Sequence, residues 1–236
     1  MASSFFKQIG SDIDGEAAGD YSGQSVSVSA DGSVVAIGAY LNDGNGSGSG
    51  HVRIYQNVNG TWTQVGNDID GEAAYDYSGR SVSLSADGSV VAIGANYNSG
   101  ENGSDSGHVR IYQNIDGTWT KIGNDIDGEY ADDYSGRSVS LSADGSVVAI
   151  GATSNDGGGY NSGHVRIYQY VNNTWTQVGS DIDGEAVGDY SGWSVSLSAD
   201  GSFVAIGAKY NLGNGINRGH VRIYQYVNNT WTQVGS

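Results

Sequence analysis

Three arrangements of apolar and polar residues recur along the chain. In "QSVSVS" (residues 24–29) valine alternates with serine, the two-residue period of a strand with one face buried. "SVVAIGA" (residues 33–39) is a nearly continuous apolar run, which suits a strand covered on both faces. "HVRIYQ" (residues 51–56) alternates again, and "TWTQVG" (residues 61–66) supplies Trp62 and Val65. No stretch of useful length carries the helical period. Asp31-Gly32 separates the first two segments and Asn59-Gly60 the last two. Both dipeptides favour two-residue turns with positive φ between antiparallel strands. The pattern therefore predicts an up-and-down meander of four short strands.

The meander is repeated. "DIDGE" begins at Asp12, Asp68, Asp125 and Asp181, with spacings of 56, 57 and 56 residues, and "GHVRIYQ" begins at Gly50, Gly107, Gly163 and Gly219, with spacings of 57, 56 and 56. The expected units are 10–66, 67–123, 124–179 and 180–236 of a single repeat domain covering 1–236. Residues 5–11, "FFKQIGS", repeat 230–236, "TWTQVGS", as an extra copy of the outer strand, so 17 strands are expected. One small sheet cannot cover its own two faces, and sheets stacked face to face around an axis make an all-β propeller. The rival architecture, a linear β-solenoid, uses shorter repeats without tight hairpins. Four blades could close as one ring at about 90° per blade, pair with a second chain into an eight-bladed ring at about 45°, or form part of a longer array.

Composition narrows the function. The chain has no Cys and no Pro, 39 Gly, and a formal net charge of −16 with only ten Lys and Arg. No disulfide or thiolate site is available, and nucleic-acid partners and anionic membrane surfaces are disfavoured for want of a basic face. No segment is long and apolar enough for membrane insertion, and "MASSFFKQIG" lacks the apolar core of a signal peptide. The chain has no G-x-S-x-G, H-E-x-x-H or phosphate-binding Gly loop. Sites copied four times do not make one asymmetric catalytic centre, so a non-enzyme is expected. An Asp/Glu hydrolase is the remote alternative.

Candidate chemistry sits at repeated positions. The acidic loops offer Asp12, Asp14 and Asp20, then Asp68, Asp70 and Asp76, then Asp125, Asp127 and Asp133, then Asp181, Asp183 and Asp189. Several carboxylates in one Gly-containing loop suit Ca²⁺; the alternative is that they bond their own turns. His51, His108, His164 and His220 occur once per repeat, either as transition-metal ligands or as ordinary strand-entry residues. Arg53, Arg110, Arg166 and Arg222 either hold an anionic ligand or pair with an acidic residue of a neighbouring blade. Gln24, Arg80, Arg137 and Trp193 precede "SV" and are expected at the ring mouth, facing a ligand. The loops after "IGA" vary most, as a surface for a protein or glycan ligand would.

"YSG" before "SV", followed by "VAIGA", resembles the FG-GAP repeat, the blade of integrin-type propellers. "YSG" stands where that family has Phe-Gly, and "IGA" where it has Gly-Ala-Pro. "NGTWTQVG" is similar to the Trp-containing strand of FG-GAP-like repeats in large secreted or surface proteins. The resemblance implies an extracellular or cell-surface module for adhesion or ligand recognition. The family's calcium loop would lie in the first hairpin, where this chain has only "SADGS" (residues 29–33). That is too short to wrap an ion, so the family's calcium residues do not carry over. The alternative function is a near-symmetric, consensus-like or engineered repeat protein with no ligand.

Overall fold

The computed structural model describes residues 7–212 and 218–235. These form four antiparallel sheets and no helix. The first sheet contains β1 (Ser25–Val28), β2 (Val34–Ala39), β3 (His51–Val58) and β4 (Thr61–Gln64), paired in chain order. It also takes β5 (Ile69–Asp70) from the next repeat: Val52 pairs with Ile69 and His51 with Asp70. The second sheet is built likewise from β6 (Ser81–Leu84), β7 (Val90–Ala95), β8 (His108–Ile115), β9 (Thr118–Lys121) and β10 (Ile126–Asp127). The third contains β11 (Ser135–Leu141), β12 (Val147–Ala152), β13 (His164–Val171), β14 (Thr174–Gln177) and β15 (Ile182–Asp183). The fourth has only four strands, β16 (Ser191–Leu197), β17 (Phe203–Ala208), β18 (His220–Val227) and β19 (Thr230–Gln233).

The meanders are those expected, and three details differ. The outer strand of each of the first three blades is interrupted, because the acidic loop returns to the far end of the same partner and adds a two-residue strand. The extra outer strand of 5–11 falls partly outside the described residues, and residues 7–11 form no strand. The outer hairpin turns as its sequence requires: Asn59 and Gly60 both have positive φ, 53° and 86°. The inner hairpin does not use a two-residue turn. It spans residues 29–33, where the Asp31 carboxylate accepts from Ser33 N, Ser33 Oγ and Ser29 Oγ. Those bonds, led by the Ser33 backbone, hold its carboxyl down to about 2.

Blades pack face to face. Val34, Ala36, Val52 and Ile54 of the first sheet meet Val82, Leu84, Val91 and Ile93 of the second, and two similar cores join the second to the third and the third to the fourth. Hydrogen bonds cross the same seams. Ser25, Ser81 and Ser138 donate from Oγ to Gly79, Gly136 and Gly192 O at 2.7–2.8 Å. Ser27, Ser83 and Ser140 accept from the amides of Leu84, Leu141 and Leu197. The two outward faces are bare. Val26 and Val28 are 63% and 60% exposed, whereas their counterparts Val82 and Leu84 are 9% and 7% exposed. At the other end Val221 and Ile223 are 66% and 46% exposed, against 0% and 1% for Val52 and Ile54. The four blades of one chain thus form an open arc of a propeller.

Candidate functional site

The acidic loop divides its carboxylates among three tasks. Asp20, Asp76, Asp133 and Asp189 are buried and structural. Asp20 Oδ2 accepts from Ala17 N and Asn42 Nδ2, and Asp76, Asp133 and Asp189 accept equivalent bonds. Asp14, Asp70, Asp127 and Asp183 contribute their backbone carbonyls, which accept from Nη2 of Arg53, Arg110, Arg166 and Arg222 at 2.6–2.8 Å. Burial and then the charge of the neighbouring Asp125 or Asp181 raise the carboxyls of Asp127 and Asp183. Asp12, Asp68, Asp125 and Asp181 are held by a side chain four residues earlier: Gln8, Gln64, Lys121 or Gln177.

The repeated histidines bring two loops together. His51 Nδ1 lies 3.8 Å from Glu16 and 3.6 Å from Asp68, acidic residues of successive repeats. Glu72, His108 and Asp125 form a second such set, and Glu129, His164 and Asp181 a third, each with one ligand atom per residue within 4.8 Å of the others. Each set joins a nitrogen donor to two carboxylates, a mixture suited to a transition metal more than to Ca²⁺. These histidines are buried, and Nε2 of His51, His108 and His164 has no hydrogen-bond partner. Burial first, and then the positive charge of Arg110 or Arg166, pushes His108 and His164 down to about 4. Neutral imidazole is therefore their state near pH 7. The repeated arginines also face Glu16, Glu72, Glu129 and Glu185 at 3.1–3.7 Å. They pin each acidic loop in place.

A second constellation lies on the rim. The "YSG" tyrosines Tyr21, Tyr77, Tyr134 and Tyr190 all hold left-handed φ values of 52–55°, a conformation that costs a non-Gly residue roughly 1–2 kcal/mol. Cross-loop bonds sustain it, as from Tyr77 N to Gly48 O at 3.1 Å. The strained turn projects each ring into a ladder. Tyr21, Tyr40, Tyr77, Tyr97 and Tyr134 follow one another with centroids 4.9–5.9 Å apart, the spacing of favourable aromatic pairs. Tyr97 fills the step between Tyr77 and Tyr134, and Tyr210 packs on Tyr190. The third blade has Ser154 at that position. There the ladder is broken, and a cavity of about 750 Å³ opens beside Ser154, bordered by Tyr130, Tyr134, Tyr160 and Tyr190 with Asp132 and Asp156.

The positions preceding "SV" lie where the inner strands begin, and the structure gives them different surroundings. Gln24 is exposed. Arg80 lies over the Tyr40 ring and Arg137 over the Trp193 ring, at 5.3 and 4.3 Å. Lys209 Nζ caps Trp193 at 4.1 Å. Trp193 is thus half-buried among cations and Tyr210. The sequence does carry a signal for the Ser154 gap: at that position the four repeats have Leu41, Tyr97, Ser154 and Tyr210.

The FG-GAP repeat model matches residues 13–55 and 68–112. No curated protein matches the chain. Among solved structures, a putative 6-phosphogluconolactonase from Bacteroides uniformis is 15% identical, with a TM-score of 0.57 over 89% of this chain and 52% of that one. The periplasmic gluconolactonase PpgL of Pseudomonas aeruginosa is 16% identical, with a TM-score of 0.54 over 89% and 56%. A putative TolB from Agrobacterium tumefaciens is 10% identical, with a TM-score of 0.50 over 90% and 61%. This chain therefore spans little more than half the length of the structures it resembles, and at such identities the likeness concerns the fold alone. The two matched repeats and the stacked four-stranded sheets identify the chain as an FG-GAP-like β-propeller repeat protein.

Proposed function

We propose that the chain is a non-catalytic recognition scaffold that binds neutral carbohydrate in the gap of its tyrosine ladder. The observation carrying this reading is the step missing at Ser154, between Tyr134 and Tyr190, where the neighbouring step holds Tyr97. A pyranose ring presents an apolar C–H face to an aromatic ring and hydroxyls at its edge, and both needs are met here. Tyr134 and Tyr190 border the opening, while Asp132 and Asp156 offer acceptors. Rigid tyrosines with short polar neighbours are an economical recognition surface, because they lose little conformational freedom on binding. The acidic rim and the −16 net charge favour uncharged over acidic sugars. Catalysis is not assigned: Asp133 is taken up by Glu129 N, Tyr130 N and Asn155, and Asp156 accepts from Asn161 N through one oxygen, leaving its other oxygen and Asp132 as acceptors. The FG-GAP resemblance supports an extracellular setting.

The test is a screen of neutral oligosaccharides followed by titration of the best binder, read by tyrosine fluorescence. Ser154→Tyr should restore the ladder and weaken binding by tenfold or more while the fold is kept. Absence of binding to every neutral glycan would overturn the reading and favour the ligand-free repeat scaffold. Undiminished binding by S154Y would overturn the assignment of the slot.

A further inference from the structure

We propose that two copies of this chain join about a twofold axis into an eight-bladed ring, in which residues 12–14 of each copy complete the last sheet of the other. The observation comes from comparing the fourth sheet with its three siblings. Sheets one to three each receive a two-residue strand from the following acidic loop, pairing on the His-Val of their third strand. The fourth has no such strand among the described residues. Its His220 is accordingly 26% exposed at the side chain, against 1% for His51 and His164. His220 Nδ1 lies 3.6 Å from Glu185, and it has no second carboxylate among the described residues to match Asp68, Asp125 or Asp181.

The missing piece is present at the opposite end of the arc. Asp12, Ile13 and Asp14 are the counterparts of Asp68, Ile69 and Asp70, yet they form no strand. They are already held in position for one. Arg53 Nη2 donates to Asp14 O at 2.7 Å, as Arg110 does to Asp70 O at 2.8 Å. Trp62 Nε1 donates to Ile9 O at 2.9 Å, as Trp119 does to Val65 O at 2.8 Å. The first blade thus carries an acidic segment set out for a preceding blade, and its bare face, Val26 and Val28, is the one that preceding blade would cover. The last blade presents the complement, Val221 and Ile223.

A second copy is the occupant whose exposed first blade repeats the surface that the inner blades bury. Repetition of the internal seams would set Ser194 Oγ on the partner chain's Gly23 O, as Ser138 sits on Gly192, and Ser196 Oγ under the Val28 amide, as Ser140 sits under Leu197. Asp12 would then join Glu185 and His220 as a fourth Glu–His–Asp set, so that site is incomplete in one chain. The arc superposes on 52% and 56% of two longer chains, so it is a part of a ring and leaves room for further blades. Two identical contacts then close the ring and leave no free face. The sequence writes the outer strand at both ends, and only one copy can lie along β18; closure keeps β19 there, takes the acidic segment from the partner, and replaces the Ile9 carbonyl at Trp62 by that of the partner's Val234.

The chain has no cysteine, so a Cys pair reports the contact directly. Asp14→Cys with His220→Cys, the positions matching the paired Asp70 and His51, should oxidise to a covalent dimer on a denaturing gel. The native mass of the unsubstituted chain should be twice 24.5 kDa. Val221→Glu, at a position exposed in the single chain, should return the mass to one chain while the β-sheet circular dichroism is kept. A native mass of one chain, an intrachain disulfide, absence of the disulfide, an open-ended series of multimers, or a V221E protein that remains dimeric would each overturn the proposal.

Discussion

The seams between blades are tight enough that one methyl group tests them. Gly151 is the penultimate residue of β12, opposite Ser138 and beneath the next blade. A Cβ built there overlaps the Gly192 carbonyl oxygen, lies 2.9 Å from the Gly192 carbonyl carbon, and crowds Ser138 Oγ at 2.6 Å. The obstacle is backbone, which moves only if the blades separate, and the displaced hydroxyl is the one bonded to Gly192 O at 2.8 Å. Overpacking costs about 1–3 kcal/mol, and the strained hydrogen bond adds about 1 kcal/mol. Gly151→Ala should therefore lose about 2–4 kcal/mol, and at about 2–4 °C per kcal/mol for a domain of this size the melting midpoint should fall by about 5–15 °C. The assay is a thermal melt followed by near-ultraviolet circular dichroism, which reports packing of the tyrosines and tryptophans. Gly207 is the internal comparison, since it occupies the same place in the last blade. A Cβ there meets Ser194 Oγ at 2.5 Å and no backbone atom closer than 3.7 Å, so in the single-chain V221E background Gly207→Ala should cost only a few degrees. A Gly151→Ala protein melting within about 2 °C of the parent would refute the account of how the blades meet.

Two further outcomes follow from the buried histidines and the acidic loops. His108 and His164 resist protonation down to about pH 4 in the fold, whereas an unfolded histidine takes a proton near pH 6.5. Stability is thus fully present above about pH 6.5 and is lost on acidification toward 4, by about 2 kcal/mol per histidine at pH 5. Urea midpoints at pH 7.5 and 5.0 measure this, and equal or greater stability at pH 5.0 would contradict it. Because Asp20, Asp76, Asp133 and Asp189 already accept bonds from their own turns and from Asn42, Asn98, Asn155 and Asn211, removing calcium with EGTA should leave the melting midpoint unchanged. A shift of more than about 2 °C would assign a bound calcium to the loops.

The strands and their order were legible in the sequence, because alternation in "QSVSVS" and "HVRIYQ" and the Asn59-Gly60 turn are properties of a few consecutive residues. The repeat period also announced a stack of blades, since one meander has no means of covering itself. What each polar residue does was settled only in three dimensions. Alternation puts the serines on one face of the strand, but only the fold shows that Ser27 and Ser83 bond the next blade at 2.9 and 3.0 Å. The acidic loop read as one cluster of carboxylates. In the fold its members separate, and Glu16 and Asp68 from different repeats meet at His51. The Ser154 opening exists only because rings from successive blades line up around the rim. Periodicity along a strand reports which side chains share a face. What lies against that face depends on the rotation between sheets some 56 residues apart, and the tertiary structure alone supplies that rotation.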